Sequence, residues 1–277
     1  MVFVSRIAMA ARNGAPAASW PLGLIYRLYE RLLLRDVNRG PIPRHVGIIL
    51  DGNRRFGELR RLRDPHEIYS AGAEKLDDLL AWCDELKIPA VTLWIFSTDN
   101  ERRTPNEVSG ILEVVENKLR NLLQSQLLQR LRIRVRAAGR LAALPPSLLG
   151  AIKAAEAATV NNSGLCLTFA IAYGGREEIT DAVQAVLRER LQRGDKLEQA
   201  IDAISPEAIG RHIYTADLPD PDLIIRTSGE VRLSGFLLWQ SVYSEFYFTD
   251  IYWPAFRKID LLRAVRAFQQ RERRFGV

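Results

Sequence analysis

Cysteine is nearly absent from this chain, histidine scarcely commoner, and lysine is far rarer than arginine. The two cysteines, Cys83 and Cys166, both sit inside apolar patterns. That excludes a disulfide framework and predicts buried free thiols in a reducing, cytoplasmic setting. Two cysteines and three scattered histidines offer no zinc-ligand spacing. No apolar run is long enough to span a bilayer. No glycine loop closed by Lys and Ser or Thr is present, which excludes a Walker-type nucleotide site. The first twenty residues contain Arg6 and Arg12 but no acid. An apolar run broken by arginine argues against a secretory signal. Residues 1–20 read as a disordered tail, with a transit peptide as the lesser reading, and 21–277 as one domain.

What the chain has instead is arginine. Only six of its 39 basic residues are lysine, leaving 33 arginines and a net charge of +6. Arginine binds phosphate through two parallel hydrogen bonds and stays charged. Codon usage alone can produce such an excess, so the positions of particular arginines have to carry the argument.

Apolar runs and helical patterns alternate. Pro21 opens a helix on which Leu24, Ile25, Leu28 and Leu32 share one face, with Arg27, Arg31 and Arg35 on another. Short continuous apolar runs at 46–50, 90–96, 133–139, 165–173, 222–227 and 245–250 read as strands covered on both faces. Helical spacing runs through 70–86 (Leu76, Leu79, Leu80, Cys83), 106–131 (Val108, Ile111, Leu112, Val115, Leu119, Leu122), 176–192 and 259–271. The expected fold is α/β: one domain with a six-stranded, mostly parallel sheet flanked by helices.

The strand ends are distinctive. The first runs into Asp51, Gly52, Asn53, Arg54 and Arg55. The second ends at Ser97, Thr98, Asp99 and Asn100, with Arg102 and Arg103 beyond. The fourth ends at Tyr173, Gly174, Gly175 and Arg176, and the fifth at Arg226, Thr227, Ser228, Gly229 and Glu230, then Arg232 and Ser234. Carboxyl ends of parallel strands share one edge, where ligands bind. Four such ends predict an anion site suited to a magnesium-bound diphosphate. Asp51 supplies a hard oxygen, Gly52 and Gly229 allow close backbone approach, and Arg55, Arg226 and Arg232 offset the remaining charge. A bare helix cap at Asp51 is the competing structural reading. An aspartyl phosphatase would commonly carry a second acid where Asn53 stands. A nucleic-acid binder would need a basic, aromatic-interleaved surface and no metal carboxylate.

The segments HVGIILDGNRRFG, FSTDNERRTPNEV, AYGGREEI, DPDLIIRTSGEVRLSGFLLWQSVYSEFYFTDIYWPAF and RERRFG, in this order, resemble the cis-prenyltransferases, the undecaprenyl diphosphate synthase family. The aspartate-rich helical pairs of the other prenyl-chain chemistry are lacking: Asp77, Asp78 and Asp84 occur once, at a different spacing. The resemblance implies a magnesium-dependent enzyme that condenses isopentenyl diphosphate with an allylic diphosphate. It also implies a homodimer, contact at the membrane periphery, no nucleic acid, and an apolar tunnel between the sheet and helices 70–86 and 106–131.

By that resemblance Asp51 carries the metal, with Glu245 as a second acid, and Asn100 assists proton loss. Gly52, Asn53, Arg54, Arg55 and Phe56 hold the allylic diphosphate with Arg63, chosen over Arg60 and Arg61, and Tyr69. Ser97, Thr98, Asp99 and Arg103 form the second loop. Arg226, Arg232, Leu233 and Ser234 take isopentenyl diphosphate, and Arg274 and Gly276 reach a partner subunit. Arg54, Tyr69 and Glu101 stand where the family usually has Gly, His and an aromatic residue. Such departures occur among short-chain members making Z,E-farnesyl diphosphate, and Ile95 is the expected chain-length residue. A decaprenyl or undecaprenyl product and a non-catalytic subunit of a heteromeric enzyme are the alternatives; retention of Asp51, Arg226 and Arg232 argues against the latter.

Overall fold

The computed structural model describes residues 20–271, with side chains from residue 26 onward. The expected tail, apart from Trp20, and the C-terminal Arg274 and Gly276 lie outside the described residues. Six strands form one sheet: β1 (His45–Ile49), β2 (Ala90–Ser97), β3 (Arg134–Ala138), β4 (Cys166–Tyr173), β5 (Leu223–Arg226) and β6 (Glu245–Phe248). Their spatial order is β3-β4-β2-β1-β5-β6, and every pairing is parallel. Burial explains the run-on apolar character of the strands: all of β1 and β5 is buried, as expected when both faces are covered.

One face carries the larger core, built from residues such as Ile48, Leu93, Leu79, Leu119 and Phe256. The other carries a smaller aromatic cluster in which Trp94 stacks on Phe236 at 5.3 Å, with Tyr173 edge-on to both rings. Helices α1 (Trp20–Val37), α2 (Asn53–Arg60), α3 (Pro65–Glu85) and α4 (Pro105–Gln124) follow the chain order. Proline at the first turn and an accepting side chain just before it fix the starts of both long helices. Asp64 caps α3 through His66 N–H, and Thr104 caps α4 through Glu107 N–H.

The helix expected over 106–131 is two. Ser125 adopts extended backbone, closes α4, and caps α5 (Gln126–Leu131) by accepting from Leu128 N–H at 3.1 Å. The remaining helices are α6 (Pro146–Thr159), α7 (Gly175–Gln192), α8 (Leu197–Asp202), α9 (Pro206–Gly210) and α10 (Lys258–Gln270). Helix α1 packs with Leu33 and Val37 buried, while Leu28 and Leu32 are 59% and 53% exposed. Of the stripe read from spacing as its apolar face, Leu28 and Leu32 are therefore not buried. Cys83 is buried, which pushes its thiol up to about 12, whereas Cys166 is only partly covered; both are free.

Candidate active site

Three strand ends, not four, meet in a cleft of about 530 Å³. Its lining includes Asp51, Gly52, Asn53, Arg54 and Arg55 after β1, and Ser97, Asp99, Asn100 and Arg103 after β2. Arg226 and Ser234 come from β5 and the loop beyond. The end of β4 lies beside that of β2, with Tyr173 level with Ser97, but does not line the cleft. Tyr173 is fully buried in the aromatic cluster, Arg176 is exposed, and Gly175 N–H donates to Gly235 O at 2.8 Å. Gly175 serves close packing against the 235–238 turn, where an added Cβ would come within 2.5 Å of Gly235 O, and Gly174 packs against Glu177 and Thr98.

Asp51 sits at the centre. Arg226 donates to its Oδ2 at 2.8 Å, Gly52 N–H donates to its Oδ1 at 2.7 Å, and Arg55 lies 3.7 Å away. Burial alone would raise this carboxyl. The Arg226 guanidinium, with Gly52 and Ser228, outweighs it and holds Asp51 below the usual carboxylate range. The backbone is locked as well, since Thr227 Oγ1 accepts from Asp51 N–H at 2.9 Å and donates to Asp51 O at 2.7 Å.

Asp51 does not cap the next helix. Residues 53–60 form α2, and Gly52 precedes its first turn at φ +97°. The opening N–H groups of a helix have no intrahelical acceptor, so a helix start beside the cleft suits a phosphate. Gly229 plays no comparable part: its N–H donates to Thr249 O at 2.8 Å. At Gly52 an added Cβ would meet Tyr252 Cδ1 at 2.7 Å and Ser228 Cβ at 2.9 Å. With the left-handed backbone, Gly52→Ala should destabilise the fold by about 2–4 kcal/mol. A urea midpoint within error of the wild type would contradict that.

Ser97 and Asn100 cap each other. Asn100 N–H donates to Ser97 Oγ at 3.2 Å, and Ser97 N–H donates to Asn100 Oδ1 at 3.0 Å. The amide oxygen is thus committed to the turn, leaving the NH₂ as the group available to a ligand. Arg103 donates to the Tyr69 hydroxyl at 2.6 Å and to Glu107 Oε1 at 2.8 Å, and Tyr69 donates to the same Oε1 at 2.7 Å. Arg54 approaches that oxygen to 3.9 Å. Burial, then the hydrogen bond to Glu107, raises the Tyr69 phenol, so it remains protonated. Glu107 thus joins three expected site residues, although spacing gave no reason to single it out.

Other expected residues stand apart. Arg232 pairs with Glu230 and is 61% exposed; its carbonyl accepts from Arg226 Nη1 at 2.5 Å. Leu233 packs against the aromatic cluster. Phe56 is buried, with Arg60 over its ring at 5.4 Å. Arg63 is exposed and outside the cleft lining, and Thr98 turns into the short helix after β2 without lining the cleft. Glu245 opens β6 level with Leu223 and Val46, hence about 15 Å along the strands from Asp51. It binds Arg271 at 2.6 Å. Within one chain these two acids cannot share an ion.

Beneath the polar cleft lies an apolar cavity of about 70 Å³ between the sheet and helices α3 and α4. Leu50, Asn53, Tyr69, Ile95 and Ile111 line both spaces. Ile95 keeps the alternation of β2 and shares the side of Leu93, with which it lines the cavity; the β2–β4 register shift between Trp94 and Phe96 brings Phe96 to that side too.

A protein-family model described as "Putative undecaprenyl diphosphate synthase" matches residues 49–276. The chain is 52% identical over 249 residues to an isoprenyl transferase of Deinococcus radiodurans, covering 90% of each. It is 50% identical over 252 residues to the (2Z,6E)-farnesyl diphosphate synthase of Thermobifida fusca, covering 91% of this chain and 97% of that one. Among solved structures it superposes on lavandulyl diphosphate synthase from Lavandula x intermedia, in complex with dimethylallyl diphosphate, with a TM-score of 0.77 and 33% identity. That match covers 87% of this chain and all of the other. With an α/β sheet whose strand ends gather a carboxylate and arginines above an apolar cavity, this chain belongs to the cis-prenyltransferase family, the undecaprenyl diphosphate synthases, and is a prenyl-transferring enzyme.

Proposed function

We propose that the enzyme condenses isopentenyl diphosphate with an allylic diphosphate, with magnesium, to give a short Z-prenyl diphosphate such as Z,E-farnesyl diphosphate. The observation that carries this reading is the junction of the two spaces. A cation-rich cleft suits a diphosphate head, and it adjoins an apolar cavity whose lining suits a hydrocarbon tail.

The donor set suits magnesium brought in by phosphate. Among the described residues no cluster of three or more His, Cys, Asp and Glu could cage a metal. Asp51 is the acid in the cleft's cationic centre, and Asn53 Oδ1 is a buried oxygen without a partner. Magnesium typically takes one or two carboxylates and completes its shell with water and phosphate oxygens. Asp51 would hold it, and when bound it would neutralise charge on the departing diphosphate.

The chain's own groups account for the rest. Arg54, Arg55 and the start of α2 face the allylic diphosphate, and they stabilise the leaving anion while a cation develops on the prenyl carbon. Arg226 and Ser234 face isopentenyl diphosphate. Asn100 orients a phosphate through its NH₂, because its oxygen is committed to the turn. Proton loss then falls to a phosphate oxygen rather than to the amide. An assay with radiolabelled isopentenyl diphosphate, magnesium and a panel of allylic starters tests the reading; no labelled prenyl product from any starter would end it.

A short product asks least of the apolar cavity. About 150 Å³ holds one benzene and this cavity is about 70 Å³, so it must widen for any prenyl tail, and more for a longer one. Ile95 stands at its neck. Ile95→Ala should shift the products to longer chains, read by mass analysis after dephosphorylation. Long polyprenols from the wild type, or unchanged length in the variant, would remove Ile95 from this role and favour the decaprenyl or undecaprenyl alternative.

A homodimer is supported by the β6 side of the sheet. Phe246 and Phe248 stack there partly exposed, beside Val242 at 70% and Tyr243 at 67% exposure. A dimer would also let Glu245, or Arg274 and Gly276, act in a partner's site. Sedimentation should give twice the chain mass, and deleting Arg274 to Val277 should lower activity far more than helicity; a fully active monomer would refute both. Peripheral membrane contact is supported by α1, where exposed Leu28 and Leu32 lie beside exposed Arg27, Arg31 and Arg35. No helix among the described residues is long and apolar enough to cross a membrane.

A further inference from the structure

One charged side chain lines the otherwise largely apolar cavity. Lys118 lies on α4 two turns beyond Ile111, and the seven-residue step between them covers about 10 Å of helix. Helices α3 and α4 both start near the cleft and run away from it, so Leu76 and Lys118 mark the cavity's far end. The Lys118 ammonium reaches across to α3 and binds Asp77 Oδ2 at 2.8 Å. Lys118 is 16% exposed and Asp77 54%. The ammonium therefore sits toward the surface while the methylene stem crosses the gap between the helices, as lysine stems do over apolar surface.

We infer that Lys118, pinned by Asp77, is a strap that closes the floor of the tail cavity and limits product length. The inference rests on the reading of that cavity as the tail site of a prenyl diphosphate. A chain growing past Ile95, Leu93 and Phe169 meets the stem next. To go further it must push the stem aside and break the contact to Asp77. The part of lysine beyond Cβ has about the bulk of one isoprene unit, so its removal opens room for about one more. As a surface ion pair the contact would contribute little to stability, and Lys118 need not line a cavity to make it. Ile95 and the strap act in series, one at the neck and one at the floor.

The test uses the full chain in four forms: wild type, Lys118→Ala, Lys118→Arg and Asp77→Ala. Products from radiolabelled isopentenyl diphosphate are sized by mass. Lys118→Ala should lengthen the main product by one isoprene unit. Asp77→Ala, which unpins the stem, should add a longer fraction, and Lys118→Arg should keep the native length. A native distribution in either alanine variant overturns the inference. A second measurement is independent of turnover: calorimetric affinity for saturated n-alkyl diphosphates of increasing length. Affinity should rise about fourfold per buried methylene and then level off, with the plateau reached at a longer chain in Lys118→Ala than in the wild type. A plateau at the same length in both overturns the strap. A shifted plateau without any turnover keeps the strap and removes the assigned reaction.

Discussion

Asp51→Ala should lower turnover by about 10³-fold or more, and Asp51→Asn should lower it nearly as far. The carboxylate is held ionised by Arg226, Gly52 and Ser228 in spite of burial, so at neutral pH it presents full charge to a metal-bound diphosphate. Removing a single preorganised electrostatic group from an active site typically costs 10²–10³-fold, and here the group also holds the metal. The two variants separate catalysis from folding. Alanine leaves the buried Arg226 without its acid, and loss of that charge-assisted contact should cost about 1.5–3 kcal/mol of stability. Asparagine has one oxygen and can accept from Arg226 or from Gly52 N–H but not from both, so only part of that stability should return while turnover stays lost. Steady-state rates in magnesium buffer and urea midpoints measure the two effects. A near-native rate in Asp51→Asn would show that the charge is not what the site requires.

The pH dependence follows from the same contacts. The folded Asp51 carboxyl lies below its unfolded value, so the stabilisation from this group is complete above the ordinary carboxylate range. It is lost only as pH falls through the depressed folded value. Acid inactivation setting in well above the ordinary carboxylate range must therefore come from groups other than Asp51.

The sequence made the sheet legible because its strands are buried on both faces and read as unbroken apolar runs. Three functional strand ends were legible for the same reason: Asp51, Ser97 and Arg226 mark where apolar residues stop. The fourth misled because glycine has two uses that look alike in a sequence. Gly174 and Gly175 resemble an anion loop, yet they permit close packing, Gly174 against Glu177 and Thr98 and Gly175 against the turn after Ser234. The side of the sheet that Ile95 faces was not legible because a strand buried on both faces gives no polar alternation to fix its parity; Ile95 shares the side of Leu93, and the bulge disturbs Phe96 instead. The role of Glu107 was hidden as well, since it depends on the approach of α2, α3 and α4, which no local pattern records. Glu245 matches its motif by position yet opens β6 at the other end of the sheet from Asp51, a separation that strand patterns in the sequence do not record.

Arg226→Ala and Arg232→Ala should separate sharply, although both arginines match the same expected pocket. The Arg226 side chain is only 6% exposed. Besides Asp51, its guanidinium donates to Arg232 O at 2.5 Å and to Ser234 Oγ at 2.9 Å, so it ties the loop after β5 to the acid after β1. Its Nε is buried and unpartnered, a donor available to a ligand oxygen. Truncation removes the charge, the loop tie and the partner of Asp51 together. Leaving one member of a buried pair alone commonly costs 3–5 kcal/mol, and the 29% exposure of Asp51 places the expected loss at about 2–3 kcal/mol. Turnover and apparent affinity for isopentenyl diphosphate should both fall. Arg232 is 61% exposed and paired with Glu230, an arrangement worth about 0–1 kcal/mol. Arg232→Ala should leave the urea midpoint unchanged and raise KM for isopentenyl diphosphate with a smaller effect on the allylic substrate. One charge-assisted contact of about 1.5–3 kcal/mol corresponds to a 10- to 150-fold change in KM. Equal destabilisation in the two variants would contradict the structural division between them. An unchanged KM for isopentenyl diphosphate in Arg232→Ala would leave Arg226 and Ser234 as the arginine and hydroxyl that face that substrate.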